Sequence, residues 1–426
     1  MFILRDLLKP LQDEFPTTDL GHERARWLVY TLLATIVPFT SSRTSNLLRT
    51  LETLFNLRIG RRRFYTFMAS PTLPWVRLWR VVWHSIPAPL TDDRVLVALD
   101  DFINPKVGRK IFGCETIFDH AAKANQAQYP WAQNVVAIGL LKRVKGRWAC
   151  LPLAFRFYLP KKAIEAATVN VKKAGRVLPF HTKLAQAAAM LQEVAAHFAE
   201  SPVVAVADSW FGNNGLLKPM REVVGSRFHL LSRLRSNAAL YALPPTREAR
   251  QRGRPRKYGH KLGSVAERAL VLRDLAKTYT VHLYGKFREV RATDQVVMLK
   301  SLKCPVRVVW VFRKTRYVAL FTTDLDLSVA QIIEFYGARW KIESGFKELK
   351  QDIGSQSSQT RNAHAEYNHL QFCMMAATLT WIYADRLKPD PERRHKVKGR
   401  ASFVFSDVRR LIAEAALSED FAHVCP

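Results

Sequence analysis

VLVALD, at Val95–Asp100, and VVAVAD, at Val203–Asp208, set the expected fold of this chain. Both runs are short, β-branched and wholly apolar, and both end in Asp. A strand with one wet face alternates polar and apolar residues; an uninterrupted run reads as a central strand buried on both faces. Strand-like runs also occur at Val135–Leu141 and Trp148–Tyr158, and helix-like ones at Lys161–Lys173 and Leu184–Glu200. Strands alternating with helices in this way predict an α/β fold with a central mixed sheet flanked by helices.

Outward from this block the pattern changes twice. Upstream, residues 1–92 read as a helical domain, with Leu28, Leu32, Leu33 and Ile36 at helical spacing and a second amphipathic stretch at Ser45–Leu57. The cluster Arg58, Arg61, Arg62 and Arg63 follows beside Phe64 and Tyr65, which reads either as DNA contact by this domain or as the solvated basic rim of a helical lid. Downstream, Phe228–Leu234, Thr278–Val290, Val306–Phe312 and Tyr317–Thr322 are strand candidates, the last two joined by a turn at Arg313–Arg316. They predict an antiparallel β insertion over 226–326 between two catalytic halves, 93–225 and 327–386, with a basic C-terminal region at 387–426. Within the insertion, the loop RGRPRK carries Arg252, Arg254, Arg256 and Lys257. It reads either as a hook into a narrow minor groove or as a flexible phosphate-binding loop.

Ser328 and Gln331 form a capping-box pattern, and Gly354 is a natural stop, so one helix is predicted between them. At ~100° per residue, Ile342, Phe346, Leu349 and Ile353 make an apolar stripe that can pack on the sheet. Tyr336, Arg339, Glu343 and Lys350 share an arc of roughly 60° beside it. Arg339 and Glu343 alone could be a surface i,i+4 ion pair. With Asp100 and Asp208 added, three carboxylates converge, and they repel each other unless cations neutralise them. Such hard oxygen ligands suit Mg²⁺, with Mn²⁺ as substitute. Two such ions about 4 Å apart activate an attacking oxygen and stabilise a leaving one in phosphoryl transfer. Asp101 is the alternative first ligand, since strand alternation lets only one of the adjacent pair face the metals. Asp208 also reads as a helix cap after a strand.

The 426 residues carry 66 Lys plus Arg against 36 Asp plus Glu, a net charge of +30, and nucleic acid is the first candidate partner. Hydrophobic residues at 48% and aromatics at 11% exclude a disordered polymer. The longest apolar run, Trp27–Phe39, is interrupted and shorter than the ~18 to 20 residues of a membrane span, and MFILRDLLKPLQDEF lacks a signal-peptide plan, so a soluble intracellular protein is expected. Five widely spaced cysteines without a CxxC pair suggest neither a zinc ribbon nor a disulfide framework.

Tyr336-x2-Arg339-x3-Glu343-x6-Lys350, within YGARWKIESGFKELK, resembles the Y-R-E-K signature of bacterial cut-and-paste insertion-sequence transposases. The likeness spans residues 94–385 and includes ADSWFGN at the second strand-Asp. It implies a ribonuclease-H-like catalytic domain, a DDE triad of Asp100, Asp208 and Glu343 holding two Mg²⁺, and phosphate contacts from Tyr336, Arg339 and Lys350. It also implies a homodimer bridging two terminal inverted repeats before 3′-OH transfer into double-stranded target DNA, in the bacterial cytoplasm at the nucleoid. Related enzymes use a Trp in the insertion against a flipped base. Trp310 is the candidate here, although its context, VRVVWVFR, fits a buried core residue as well. One departure is Asp100-Asp101-Phe102, where the family often has a hydroxyl two residues after the Asp. A DNA-binding repressor without catalysis and a metal-dependent nuclease without strand transfer are the competing functions.

Overall fold

The computed structural model describes residues 2–119, 122, 124–246, 254–395, 397–398 and 402–418. Five helices come first: α1 (Phe2–Gln12), α2 (Asp19–Ile36), α3 (Thr44–Phe55), α4 (Arg61–Met68) and α5 (Trp75–His84). The chain continues through β1 (Val95–Pro105), β2 (Trp131–Val144), β3 (Arg147–Tyr158), α6 (Lys183–His197), β4 (Val203–Ala207), α7 (Asn214–Val224) and β5 (Phe228–Arg233). Then come α8 (Val265–Leu272) and four strands, β6 (Lys277–Leu283), β7 (Lys286–Leu299), β8 (Cys304–Arg313) and β9 (Arg316–Thr322). Helices α9 (Val329–Ala338), α10 (Trp340–Lys347), α11 (Ala363–Arg386) and α12 (Phe405–Ala416) finish the fold.

The apolar runs behave as their composition requires. Val95–Leu99 and all of β4 are buried, and the two strands pair in parallel. β1 pairs antiparallel with β2, β2 antiparallel with β3, and β4 parallel with β5. The order β3-β2-β1-β4-β5 is a ribonuclease-H-like core. β9 adds antiparallel to β5, and β8, β7 and β6 follow in antiparallel sequence. The β-rich segment therefore extends the central sheet, and among the described residues twelve strands form one sheet. Alternation along β1 assigns its faces. Phe102 meets Phe346 of α10 at 4.4 Å between ring centroids, so α10 covers the Asp100 face. On the Asp101 face, Arg156 of β3 bonds Glu193 of α6 at 2.8 Å.

Three expected elements differ. The helix expected over Lys161–Lys173 stops at Glu165; Ala167 takes a left-handed φ of 48° and the β-branched run after it disfavours resumption. The strand expected over Thr278–Val290 is a hairpin, because Tyr284 and Gly285 adopt φ of 54° and 77°, the left-handed pair of a tight two-residue turn. The single helix expected between Ser328 and Gly354 has its capping box and its left-handed stop, yet it is broken at Arg339 and ends in a π-helical turn, Glu348–Ile353.

The N-terminal helices share one core with the sheet. They grip α11 through buried polar bonds: Trp75 Nε1 donates to Asn368 Oδ1 (2.8 Å), Trp79 Nε1 to Gln371 Oε1 (2.6 Å), and Asn368 Nδ2 to the carbonyls of Met68 and Ser70 (2.9 and 2.8 Å). No helix among the described residues is long and apolar enough to cross a membrane. Asn368→Ala would strand three buried polar groups at once, each worth about 1–3 kcal/mol. We expect a destabilisation of about 3 kcal/mol or more in chemical denaturation, whereas Arg58→Ala, on the exposed rim, should change stability by less than about 0.5 kcal/mol.

Candidate active site

The last register pair of β1 and β4 is Leu99 with Ala207, so Asp100 and Asp208 are the next residues on two neighbouring parallel strands. Such strands lie about 4.8 Å apart, which brings the two carboxylates side by side where β4 ends and β1 runs on. Asp100 Oδ1 accepts from the Asp101 N–H at 2.9 Å, and Oδ2 accepts from Arg339 Nη1 at 3.0 Å. The second nitrogen of the same guanidinium, Nη2, donates to Glu343 Oε1 at 2.9 Å. The break between α9 and α10 falls at Arg339, whose side chain is only 8% exposed. One arginine thus joins the strand carboxylate to the helix carboxylate.

Burial raises the Asp100 pKa to about 6; Arg339 and the Asp101 N–H pull it down, and Asp208 and Asp101 push it up. The neighbouring guanidinium therefore only partly offsets the loss of water. Asp208 uses Oδ1 to accept the N–H groups of Trp210 and Phe211, both at 3.0 Å, which closes the turn after β4. The cap of α7 itself is Asn213, whose side chain accepts from Gly215 N. Ser232 of β5 donates to the Asp208 carbonyl at 2.6 Å and fixes the turn from below. Gly212 sits against that serine so closely that a Cβ would come 2.2 Å from Ser232 Oγ.

Asp101 lies on the opposite face. Its Oδ2 accepts from Lys183 Nζ at 2.8 Å and Asn134 Nδ2 at 3.0 Å. That engagement leaves Asp100 as the strand carboxylate facing Glu343. The oxygen-only donor set suits a hard divalent cation. Among the described residues no three His, Cys, Asp or Glu side chains stand grouped as a ready metal site. Arg339 stands between Asp100 and Glu343 and bonds one oxygen of each.

A family model described as DDE superfamily endonuclease matches residues 11–296. This chain belongs to the DDE endonuclease superfamily. The match includes both strand aspartates and most of the N-terminal helices, and it ends within β7, before α9 and α10. No curated protein matches the chain.

In this DDE endonuclease the remaining sequence candidates are distributed as follows. Tyr336 lies near Arg339, whose guanidinium carbon is 5.9 Å from its ring centroid. Burial raises its phenol pKa, against the pull of Arg339 and Arg233. Lys350 sits in the π-helical turn, where the angle per residue differs from that of the helix before it. Its Nζ lies 5.5 Å from the Phe102 ring centroid, and burial lowers its pKa. Arg254, Arg256 and Lys257 are exposed; Arg252 lies outside the described residues, as do Lys396 and Arg400 of the C-terminal basic patch. Trp310 corrects an expectation. It is fully buried and its Nε1 donates to the Val265 carbonyl at 3.1 Å, so its ring has no face for a base.

Sequence reasoning overlooked Lys183, Asn134, Trp210 and Trp340. The two tryptophans are half-exposed directly beside Asp208 and Arg339. Lys183 Nζ stands 5.9 Å from the Trp210 ring centroid, and the Arg339 guanidinium 5.7 Å from that of Trp340. The signal for Asp101 was its adjacency to Asp100, since the outward member of the pair needs its own cationic partner.

The folded Asp100 retains its proton up to about pH 6, whereas the ordinary value is 3.8. Its contribution to stability is therefore complete below about pH 4 and is lost as pH rises through about 6, by about 3 kcal/mol. We expect the stability of Asp100→Asn relative to wild type to rise across that window in urea titrations; a constant difference would contradict the raised pKa. Gly212→Ala should push Ser232 off the Asp208 carbonyl, costing about 1–3 kcal/mol, seen as a lowered Tm.

Proposed function

We propose that this DDE endonuclease is the transposase of an insertion sequence, cutting at the element's terminal inverted repeats and joining the freed 3′-OH to target DNA by a cut-and-paste route. The observation that carries the reading is the convergence of Asp100 and Asp208, side by side on neighbouring parallel strands, with Arg339 linking Asp100 to Glu343. The Y-R-E-K spacing around that arginine supports the insertion-sequence assignment, and the net charge of +30 supports a DNA partner. Two protomers bridging two DNA ends, at the nucleoid in the bacterial cytoplasm, follow from the same reading.

Asp100, Asp208 and Glu343 would hold two Mg²⁺, or Mn²⁺, which when bound supply Lewis-acid activation of the attacking oxygen and charge neutralisation at the leaving one. The chain's own residues do the rest. The turn bonds from Trp210 and Phe211 orient the Asp208 carboxylate. Lys183 and Asn134 absorb the charge of Asp101 and turn it away from the site. Were Asp100 and Glu343 to hold metal ions, the planar donor pair of Arg339 would be available for a bidentate phosphate contact beside the site. Tyr336 and Lys350 extend that phosphate contact from the same helical segment, Arg254, Arg256 and Lys257 from the basic loop, and α3 and α4 from their basic rim. The chemistry needs no protein nucleophile, because water and the 3′-OH are the attacking groups.

The test uses full-length protein, the DNA that flanks its gene, and Mg²⁺. Wild type should cut at the element's ends and join them to a second duplex; cutting without joining would favour a plain nuclease. Glu343→Ala should lose cleavage by at least about a hundred-fold and keep its DNA affinity. Uncut DNA in wild type, with binding unaffected by Glu343→Ala, would leave a repressor. Arg339→Gln should bind Mn²⁺ more tightly than wild type in the absence of DNA, read by electron paramagnetic resonance, because the carboxylates no longer hold a competing cation. Unchanged Mn²⁺ affinity would show that Arg339 does not occupy the metal position.

A further inference from the structure

The hairpin of β6 and β7 projects two large aromatic side chains that the fold does not use. Phe287 is 78% exposed and Tyr284 57% exposed. The turn between the strands, Tyr284–Gly285, is the tight left-handed pair described above, so the tip is narrow. His282 is paired in register with Phe287, their rings 5.2 Å apart, and the Arg288 guanidinium lies 5.9 Å from the Tyr284 ring centroid. The segment Lys277–Arg291 carries Lys277, Lys286, Arg288 and Arg291 against the single acid Glu289. Exposed aromatics within a cationic rim repel most basic surfaces of this chain and suit a polyanion with stackable faces.

The root of the hairpin is held firmly. Val281 and Leu283 are buried. The His282 N–H donates to Glu334 Oε1 of α9 at 2.6 Å. A Cβ on Gly337 would come 2.4 Å from Leu283 Cδ2, so the absence of a side chain there is what lets α9 lie this close to the hairpin. Gly337 is two residues before Arg339. The tip is thus fixed to the helix that leads directly into the carboxylate-bridging arginine.

We propose that this hairpin is a DNA wedge: Phe287 and Tyr284 insert at a base step while Lys286 and Arg288 hold the flanking phosphates, positioning the duplex over the site. The inference rests on the DNA-processing reading above and adds the contact that reading lacks. Apolar wedges that partly unstack a base step are an established way for proteins to bend a duplex, and a two-stranded ribbon is slim enough for a groove.

The experiment uses the full chain and a series of mixed-sequence duplexes, each with one 2-aminopurine at a different position. Wild type should bind them and raise 2-aminopurine fluorescence at some positions, because unstacking relieves quenching. Phe287→Ala should abolish the rise and weaken binding about ten-fold, and Tyr284→Ala should do so less; both should keep the wild-type Tm, since the side chains are exposed. Lys286→Ala should weaken binding with a salt slope shallower by about one. Wild-type affinity and fluorescence in Phe287→Ala would overturn the wedge and leave the DNA reading standing. A wild-type chain that binds no duplex would overturn both. A sedimenting mass that falls in Phe287→Ala, with DNA binding intact, would make the tip a contact between copies of this chain and overturn the wedge as well.

Discussion

Parallel pairing of β1 with β4 is the constraint on which the site depends. In a parallel pair, successive register positions run side by side, so the residues that follow a paired position lie next to each other on one face, here at the end of β4 and within β1. Pairing of Leu99 with Ala207 converts two aspartates 108 positions apart in the chain into neighbours. The register is specified by burial: Val95–Leu99 and Val203–Ala207 are wholly inside. A slip of one residue along β1 would exchange Asp100 for Asp101 and turn Phe102 away from Phe346. The aromatic contact and the carboxylate position are therefore fixed by one decision.

Electrostatics at that edge runs against the rest of the molecule. A chain of net charge +30 has every long-range reason to attract phosphates, yet the site itself is an acidic spot within it. Arg339 reconciles the two. Its planar fork satisfies one oxygen of Asp100 and one of Glu343 with well-formed bonds, which a lysine's point charge could not do in the same geometry. Burial keeps the Asp100 pKa raised; the Arg339 charge, divided between two carboxylates, offsets that only in part, and Asp208 beside it pushes the same way as burial.

What the sequence revealed follows the strength of each physical signal. Wholly apolar runs ending in Asp were legible because they are short and β-branched, which favours a buried central strand over a buried helix, and the capping box at Ser328 and the left-handed Gly354 were legible because their chemistry is local. The hairpin was misread as one strand because its turn places Tyr284, a good strand residue, in a left-handed conformation. Lys350 was placed with uniform helical angles, which cannot foresee the π-helical turn at Glu348–Ile353. Trp310 was undecidable in isolation, since burial of a tryptophan depends on where α8 supplies an acceptor for its indole. The choice between Asp100 and Asp101 needed Lys183, Asn134 and Arg339, residues from three other elements.

The helix bearing Glu343 is also held from beyond its own ends, and this gives the N-terminal helices a structural part in the site. Ser42, between α2 and α3, donates to the Gly354 carbonyl at 2.7 Å, and His369 of α11 meets the Ser42 carbonyl at 2.8 Å. Just past β1, Lys106 is buried with Glu366 of α11 at 3.3 Å, and it donates to the Ser358 carbonyl at 2.7 Å. Glu366 accepts further from Gln133 and Ser358, so this buried pair has its hydrogen bonds filled. A satisfied buried ion pair adds little net stability, but removal of either partner leaves an uncompensated charge, so the arrangement tolerates few alternatives. The segment after the π-helical turn is thus pinned to β1, to α11 and to the α2–α3 connection at once. Glu343 and Asp100 keep their relation because the same fastening joins the strand of one to the helix of the other.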